Sequence, residues 1–196
     1  MSFLKEKVAE EGSLASDREE LRYKLLFTGL SQVGKSSIIQ VVFEGVLPEE
    51  TEDMLATVRF SRKKLDFSGL SISVFDLGGQ LNYLQETYST LRESIFSNTR
   101  AVFFVVDSSN AEQLNDAKEF FRRTVENIND YSRGAKICVL AHKSDLLKEG
   151  IKDQVVSTIS DFLEIEKYDN VEFITTSIFD NSIFDAVEHV IINKNI

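Results

Sequence analysis

GLSQVGKS, residues 29–36, decides the fold, because the spacing G-x-x-x-x-G-K-[ST] has its meaning between a strand and a helix. Upstream, YKLLFTG (23–29) is a short apolar run closed by glycine. Downstream, SSIIQVVFEG (36–45) has helical apolar spacing and ends on a glycine suited to the end of a helix. Gly29 and Gly34 let the backbone turn consecutive N–H groups inward, and the helix start adds its positive end. Lys35 sets a point charge beside them. Such a loop cradles phosphates, so contacts are expected from Ser31, Gln32, Val33, Gly34, Lys35, Ser36 and Ser37, with the Ser36 hydroxyl turned to Mg²⁺. A glycine-rich turn with an exposed lysine is the bland alternative, and the flanking strand and helix weigh against it.

The remaining pattern extends this unit. VRFSRKKLDF (58–67) and SGLSISV (68–74) alternate and meet at Ser68-Gly69, which predicts an antiparallel hairpin. FDLGGQLNYLQETYSTL (75–91) opens on paired glycines and continues with mixed helical spacing. AVFFVVD (101–107) and AKICVLA (135–141) are unbroken apolar runs, as strands covered on both faces should be, and VEFIT (171–175) adds another strand. Helices are expected over Ala111 to Ile128, Val155 to Leu163 and Ile183 to Ile191. The prediction is an α/β P-loop NTPase: three α/β/α layers around a sheet of about six strands, mostly parallel, with one antiparallel hairpin strand. Ligands then bind at the carboxyl ends of the strands. Without a repeat or low-complexity tract, residues 21–196 read as one unit preceded by an extension, 1–20.

Composition sets limits. The 196 residues are 42% hydrophobic and 28% charged, and no apolar stretch approaches the ~18 residues of a membrane span. A formal net charge of −10 argues against nucleic acid as a partner, since phosphate neutralisation needs clustered cations. Any phosphate site must therefore be local. The single cysteine, Cys138, lies in ICVLA, where a buried inert thiol in a reducing cytoplasm is expected. Residues 2–20 hold three basic and six acidic residues, which favours a solvated tail over a short docking helix through Phe3, Leu4 and Val8. Ser2 excludes N-myristoylation and INKNI offers no cysteine for prenylation, so no direct lipid anchor is expected.

Oxygen ligands for Mg²⁺ should come from neighbouring strand ends. Asp76 closes SISVFD, where a metal-holding carboxylate belongs, with a helix N-cap as its alternative. Thr57, in MLAT, can bring a hydroxyl to the metal, although alone it reads as a strand-start threonine. Further on, HKSD (142–145) follows a buried strand. Asp145 there can accept two hydrogen bonds from the N1–H and N2 amine of guanine, each contributing ~1.5–3 kcal/mol. Adenine lacks both donors, and an unpaired aspartate facing it would discriminate by on the order of 10⁴-fold. Lys143 can lay its methylenes along base or ribose. TTSI (175–178) can close the pocket with backbone N–H groups. His142, one of two histidines, could be an acid/base catalyst, a metal ligand or a neutral hydrogen-bonding group; His189, on the closing helix, reads as structural or exposed.

In order, GLSQVGKS, Thr57, DLGG, HKSD and TSI resemble the motifs of the Ras-like small GTPases over residues ~23–194. His142 in place of the usual Asn, the form TSIFD, and ETYSTLRESIFSNTRAVFFVVD (86–107) are similar to the Rag/Gtr subfamily. The resemblance implies GTP/GDP and Mg²⁺ as ligands and a base pocket of His142, Lys143, Asp145, Ser177 and Ile178. It makes His142 a neutral residue near guanine N7 and the phosphate loop. Ser36, Thr57 and Asp76 would hold the metal, the Gly79 N–H would meet the γ-phosphate, and Lys35 and Gln80 would be catalytic, Gln80 by orienting water. Ser31 would crowd Gln80, and Met54 stands where Gα-type proteins carry an arginine, so hydrolysis should be slow without an activating protein, whose arginine adds roughly 10³–10⁵-fold. An exchange factor and effectors are implied as partners, with a cytoplasmic location and membrane recruitment only through them. Rag proteins dimerise through a C-terminal roadblock-type domain; these 196 residues stop at the closing helix, leaving a homo- or heterodimer open. Two other readings stand beside the switch: a nucleotide-binding scaffold with negligible hydrolysis, and an Arf-like membrane switch using residues 2–14. A P-loop kinase is disfavoured, since no segment offers an acceptor lid.

Overall fold

Strand β1 (Arg22–Thr28) leads into the phosphate loop and then into helix α1 (Lys35–Ile39) of the computed structural model, which describes residues 22–51, 57–67 and 70–192. The extension 1–20, Met54 and the Ser68-Gly69 connection lie outside the described residues. After α1 come β2 (Phe60–Phe67), β3 (Leu70–Leu77), α2 (Leu81–Ser89), α3 (Arg92–Phe96), β4 (Ala101–Asp107) and α4 (Leu114–Tyr131). The chain continues through β5 (Lys136–His142), α5 (Lys152–Leu163), β6 (Val171–Thr175) and α6 (Ser182–Ile192). The sheet runs β2-β3-β1-β4-β5-β6, with β2 antiparallel to β3 and every other pair parallel, so the expected architecture is present.

Side-chain alternation builds the layers. On one face Phe27 stacks on Phe103 at 4.6 Å and meets the edge of Phe43. On the other, Thr28 faces α2 and Phe104 packs on Phe121 of α4. All seven residues of β4 are buried, as its unbroken apolar run requires. Burial also pushes the Cys138 thiol pKa well above its usual range, so the thiol stays protonated and inert.

Two helices differ from their expected form. The stretch 36–45 is a short α-turn that widens into a π-helical turn over Gln40–Glu44, closed by Gly45 in the left-handed region. The wider turn accompanies the seating of Phe43 edge-on to Phe27. The mixed periodicity after DLGG resolves into two helices, α2 and α3. Between them and the sheet, the Tyr88 hydroxyl lies 2.8 Å from Thr28 Oγ1 and 2.7 Å from Thr124 Oγ1, while Thr124 also donates to the Phe120 carbonyl. Burial raises the Tyr88 pKa to about 12, which keeps its proton in this relay at neutral pH. Among the described residues, no helix is long and apolar enough to cross a membrane.

Tyr88→Phe leaves two buried hydroxyls short of a partner and should cost about 1–3 kcal/mol. Urea unfolding should show a lower midpoint at unchanged m-value; an unaltered midpoint would mean that the relay contributes nothing.

Candidate functional site

The phosphate loop is shaped by what presses on it. Gly34 has φ +99°, and a Cβ there would lie 2.8 Å from the His142 ring. Gly79, at the end of DLGG, abuts the loop from another side: its Cβ would lie 2.2 Å from the Leu30 carbonyl oxygen. Any side chain at either position would push the surrounding walls apart. Between them Lys35 is buried, and its Nζ donates to the Gly29 and Leu30 carbonyls at 2.9 and 2.5 Å. Burial lowers its pKa to about 8, partly opposed by Asp76. A buried ammonium held by neutral carbonyls can still neutralise an anion brought to the loop.

Three oxygens meet below the loop. Ser36 Oγ donates to Asp76 Oδ2 at 2.5 Å, Thr57 Oγ1 donates to the same oxygen at 3.0 Å, and the two hydroxyls are 3.0 Å apart. Asp76 Oδ1 is buried without a hydrogen-bond partner among the described residues. One carboxylate with an unused oxygen beside two hydroxyls is a hard, all-oxygen donor set that suits Mg²⁺. Asp76 thus serves the loop from the end of β3 instead of capping α2, whose N-cap is Gln80.

The other wall comes from β5 and the loop after β6. His142 is buried, with Nδ1 3.0 Å from Thr176 Oγ1. Burial first, then the charge of Lys143, lowers its pKa to about 4, so the ring is neutral at pH 7. Packed against Gly34 and Thr176, it has the setting of a neutral wall group. Lys143 adopts φ +60°, which directs its side chain back over the loop, where Nζ donates to the Gln32 carbonyl and to Asp107 Oδ2, each at 2.7 Å. Although burial pushes the Asp107 carboxyl upward, hydrogen bonds from Lys143 and Ser109 outweigh it and hold the pKa below the usual carboxylate range. Asp145 is exposed to the cleft while its Oδ1 accepts from Ser177 Oγ at 2.6 Å. Ser177 Oγ also accepts from the Phe179 N–H, and the Ser177 N–H donates to Ser182.

Together these groups line a cleft of about 770 Å³. Of the sequence-predicted residues, Ser31, Gln32, Gly34, Lys35, Ser36, Ser37, Thr57, Gly79, Gln80, His142, Lys143, Asp145 and Ile178 line it. Val33 points into the hydrophobic core, Asp76 sits behind Ser36, and Ser177 sits behind Asp145. Sequence reasoning missed Asp107 and the exposed, cleft-lining Phe179. Both carried a signal: a carboxylate ending a buried strand, and an aromatic immediately after TSI. His189 is half exposed and pairs with Glu172 at 3.1 Å, away from the cleft.

Comparison with known proteins follows the same outline. The Gtr1/RagA G protein conserved region matches residues 24–194. GTP-binding protein GTR1 of Saccharomyces cerevisiae is 29% identical over 175 residues, covering 87% of this chain and 56% of that protein. GTP-binding protein GTR2 of the same yeast is 34% identical over 175 residues, 85% of this chain and 49% of that protein. The chain thus spans about half the length of the curated relatives it matches. The Arl6 BBS3 small GTPase of Trypanosoma brucei, solved with the nucleotide analogue GppNp, shares the fold at a TM-score of 0.66 and 21% identity, covering 86% of this chain and 95% of that one. With a family model spanning nearly all the described residues and the phosphate loop, DLGG and HKSD meeting in one cleft, the chain belongs to the Gtr1/RagA G protein family.

Proposed function

We propose that residues 21–196 form one G domain that binds GTP and GDP with Mg²⁺, hydrolyses GTP slowly, and signals through the difference between the two states. The observation that carries this reading is the triangle of Ser36, Thr57 and Asp76 beside Lys35, since it joins the phosphate loop to both segments that would have to switch. Ser36, Thr57 and Asp76 would hold Mg²⁺, which would supply positive charge against the phosphate oxygens. The Lys35 ammonium would exchange its two carbonyl acceptors for phosphate oxygens and keep its charge beside them. Asp145, held by Ser177, reads the N1–H and N2 amine of guanine, while His142 and Ile178 wall the pocket. Phe179, exposed at the cleft rim, offers an apolar surface beside the base.

Gln80 is exposed at the start of α2 and lines the cleft beside Thr57 and Gly79, where its amide can orient a water for in-line attack. With the γ-phosphate gone, the Gly79 N–H would lose its partner and the Thr57 hydroxyl would no longer be held beside Ser36 and Asp76, which would free the segments that carry them. An activating protein, an exchange factor and effectors would read and set this state in the cytoplasm, with membrane recruitment through them, and a homo- or heterodimer is compatible with it. A second reading, a scaffold that binds nucleotide with negligible turnover, is favoured by Ser31, whose side chain lines the same cleft as Gln80.

Denaturing the purified protein should release guanine nucleotide; ATP or ADP as the main species would overturn the base pocket. Asp145→Asn should weaken GTP binding by about 10²–10⁴-fold, the worth of two charge-assisted hydrogen bonds. The same substitution should improve XTP binding, because an amide donates to the 2-oxo group of xanthine. Equilibrium titration with both nucleotides checks this, and unchanged GTP affinity counts against Asp145. Gln80→Leu should slow single-turnover hydrolysis, most strongly with an activator present; a rate unchanged from that of the native chain, with and without an activator, would rule out a catalytic role for Gln80 and favour the scaffold.

A further inference from the structure

Toward the end of the sheet opposite the cleft, two grooves meet at Asn98. The larger, about 720 Å³, is walled by α3 and the turn after it, and its floor carries Lys24 of β1, Arg62 of β2, and Ser73 and Phe75 of β3. The smaller, about 360 Å³, lies between the turns that lead into β4 and β5 and carries Thr99, Arg100 and Arg133. Both volumes fall in the range of ligand clefts, roughly 300–1,000 Å³. Hydrogen bonds hold the grooves edge to edge: the Arg100 N–H donates to the Lys24 carbonyl at 2.8 Å, and the Lys136 N–H donates to the Arg100 carbonyl at 3.2 Å. The starts of β1, β4 and β5 therefore sit side by side at the usual strand spacing of ~4.8 Å. Lys24, Arg62, Arg100 and Arg133 all line this one end of the molecule.

None of these cations forms an ion pair among the described residues. Lys24 Nζ donates to the Ser94 and Ser97 carbonyls, and Arg62 Nη2 donates to Ser73 Oγ. Aromatic faces take the rest: Lys24 Nζ lies 4.6 Å and the Arg62 guanidinium 5.2 Å from the centre of the Phe75 ring, and the Arg100 guanidinium lies 5.8 Å from that of Tyr23. Such neutral partners hold the cations in place without neutralising them. Burial, and then repulsion from Arg62, lower the Lys24 pKa to about 8, as expected for a charge that its surroundings leave uncompensated. Other cations of the chain do find carboxylates, as Lys63 does with Glu44, Lys118 with Glu164 and Arg122 with Glu126. Glu93, exposed beside the larger groove, is the one acid among the described lining residues of either. In a chain with 32 acidic residues against 22 basic ones, the adjoining grooves thus reverse the local sign of charge. Thr99 adds a buried hydroxyl without a hydrogen-bond partner among the described residues.

We propose that the two grooves form one docking surface for an extended acidic segment of a partner protein, with one carboxylate engaging Lys24 and Arg62 and a second engaging Arg100 and Arg133. Arginine offers a planar fork of donors that matches both oxygens of a carboxylate, and the Ser73 hydroxyl and Asn98 amide stand beside it as neutral groups. An extended chain presents side chains on one face at every second residue, roughly 7 Å apart, so an alternating acidic sequence offers one carboxylate to each groove. A lipid surface fits less well, because Lys24 is half-buried between the sheet and the turn after α3, within reach of a side-chain carboxylate but withdrawn from a plane of headgroups. Nucleic acid is opposed by the net charge of −10. The cleft lies at the carboxyl ends of the strands, so a partner held at these grooves leaves Thr57, Gly79 and Gln80 uncovered.

NMR titration of the isotopically labelled full chain with a dodecapeptide of alternating Glu and Ser tests the docking. Saturable amide shifts are expected at Ser73, Asn98, Thr99, Arg100 and Gly134, and none at Gly34 or Ser37 of the phosphate loop. The same peptide with Gln in place of Glu should shift nothing. Arg62→Glu combined with Arg133→Glu, two exposed side chains, should raise the dissociation constant measured by fluorescence anisotropy roughly tenfold or more, with amide signals away from the grooves unchanged. Absent shifts at these amides, equal shifts with the Gln peptide, or equal affinity in the double variant would each overturn the proposal. Co-sedimentation with phosphatidylserine vesicles, when the acidic peptide leaves the spectrum unmoved, would assign the surface to a membrane instead. Self-association of the native chain that the double variant abolishes would assign it to a second copy.

Discussion

The ammonium of Lys143 is shared between the Gln32 carbonyl and the Asp107 carboxylate, each 2.7 Å away, and this one contact ties together the ends of β1, β4 and β5. It joins the phosphate loop to the HKSD loop after β5. With it, a displacement of one must move the other. Asp107 keeps its charge because donors from Lys143 and Ser109 outweigh the cost of its burial. His142, one residue earlier, adds a steric constraint by filling the space that a side chain at position 34 would need. Charge and shape therefore act at adjacent positions to fix the same wall of the cleft.

The opposite wall of the cleft is formed by Gly79, Gln80 and Thr57. Gly79 rests directly on the Leu30 carbonyl, and the Thr57 hydroxyl meets Ser36 and Asp76 while its carbonyl abuts Gly78. Beyond them, the Tyr88 relay pins the end of α2 to β1 and α4 through buried hydroxyls. The segment between Gly79 and Tyr88 thus has one end on the loop and one end in the core. In the proposed switch, such an arrangement would confine rearrangement to a short stretch while the sheet stays fixed.

Much of this was legible in the sequence. Parallel strands covered on both faces must be apolar throughout, so AVFFVVD and AKICVLA announced themselves. The glycine spacing of GLSQVGKS follows from how close its neighbours come. Asp76, Thr57 and Asp145 were singled out because metal and base recognition would demand particular donors at strand ends, and the structure brings Asp76 and Thr57 together beside Ser36. What stayed hidden depended on partners distant in the chain. Asp107 meets Lys143 across 36 residues and Tyr88 meets Thr28 across 60, and no local periodicity encodes either contact. The break between α2 and α3 was also unreadable, since the mixed periodicity after DLGG marked no boundary there.

By itself, then, the sequence determined which groups are available: a glycine-spaced loop with a lysine, carboxylates at the ends of β3 and just after β5, and a glutamine beside DLGG. Those are properties of residue type and short spacing, which the chain carries whether folded or not. The tertiary structure decided which of those groups face the cleft and which stand behind them. Val33 turned into the core, Ser177 became the brace of Asp145, and Lys24 and Arg62 were brought to one aromatic ring from strands 38 positions apart (62 − 24 = 38). The reason is geometric: sheet register and helix packing set side-chain direction and distance, and both arise only when separate strands pair.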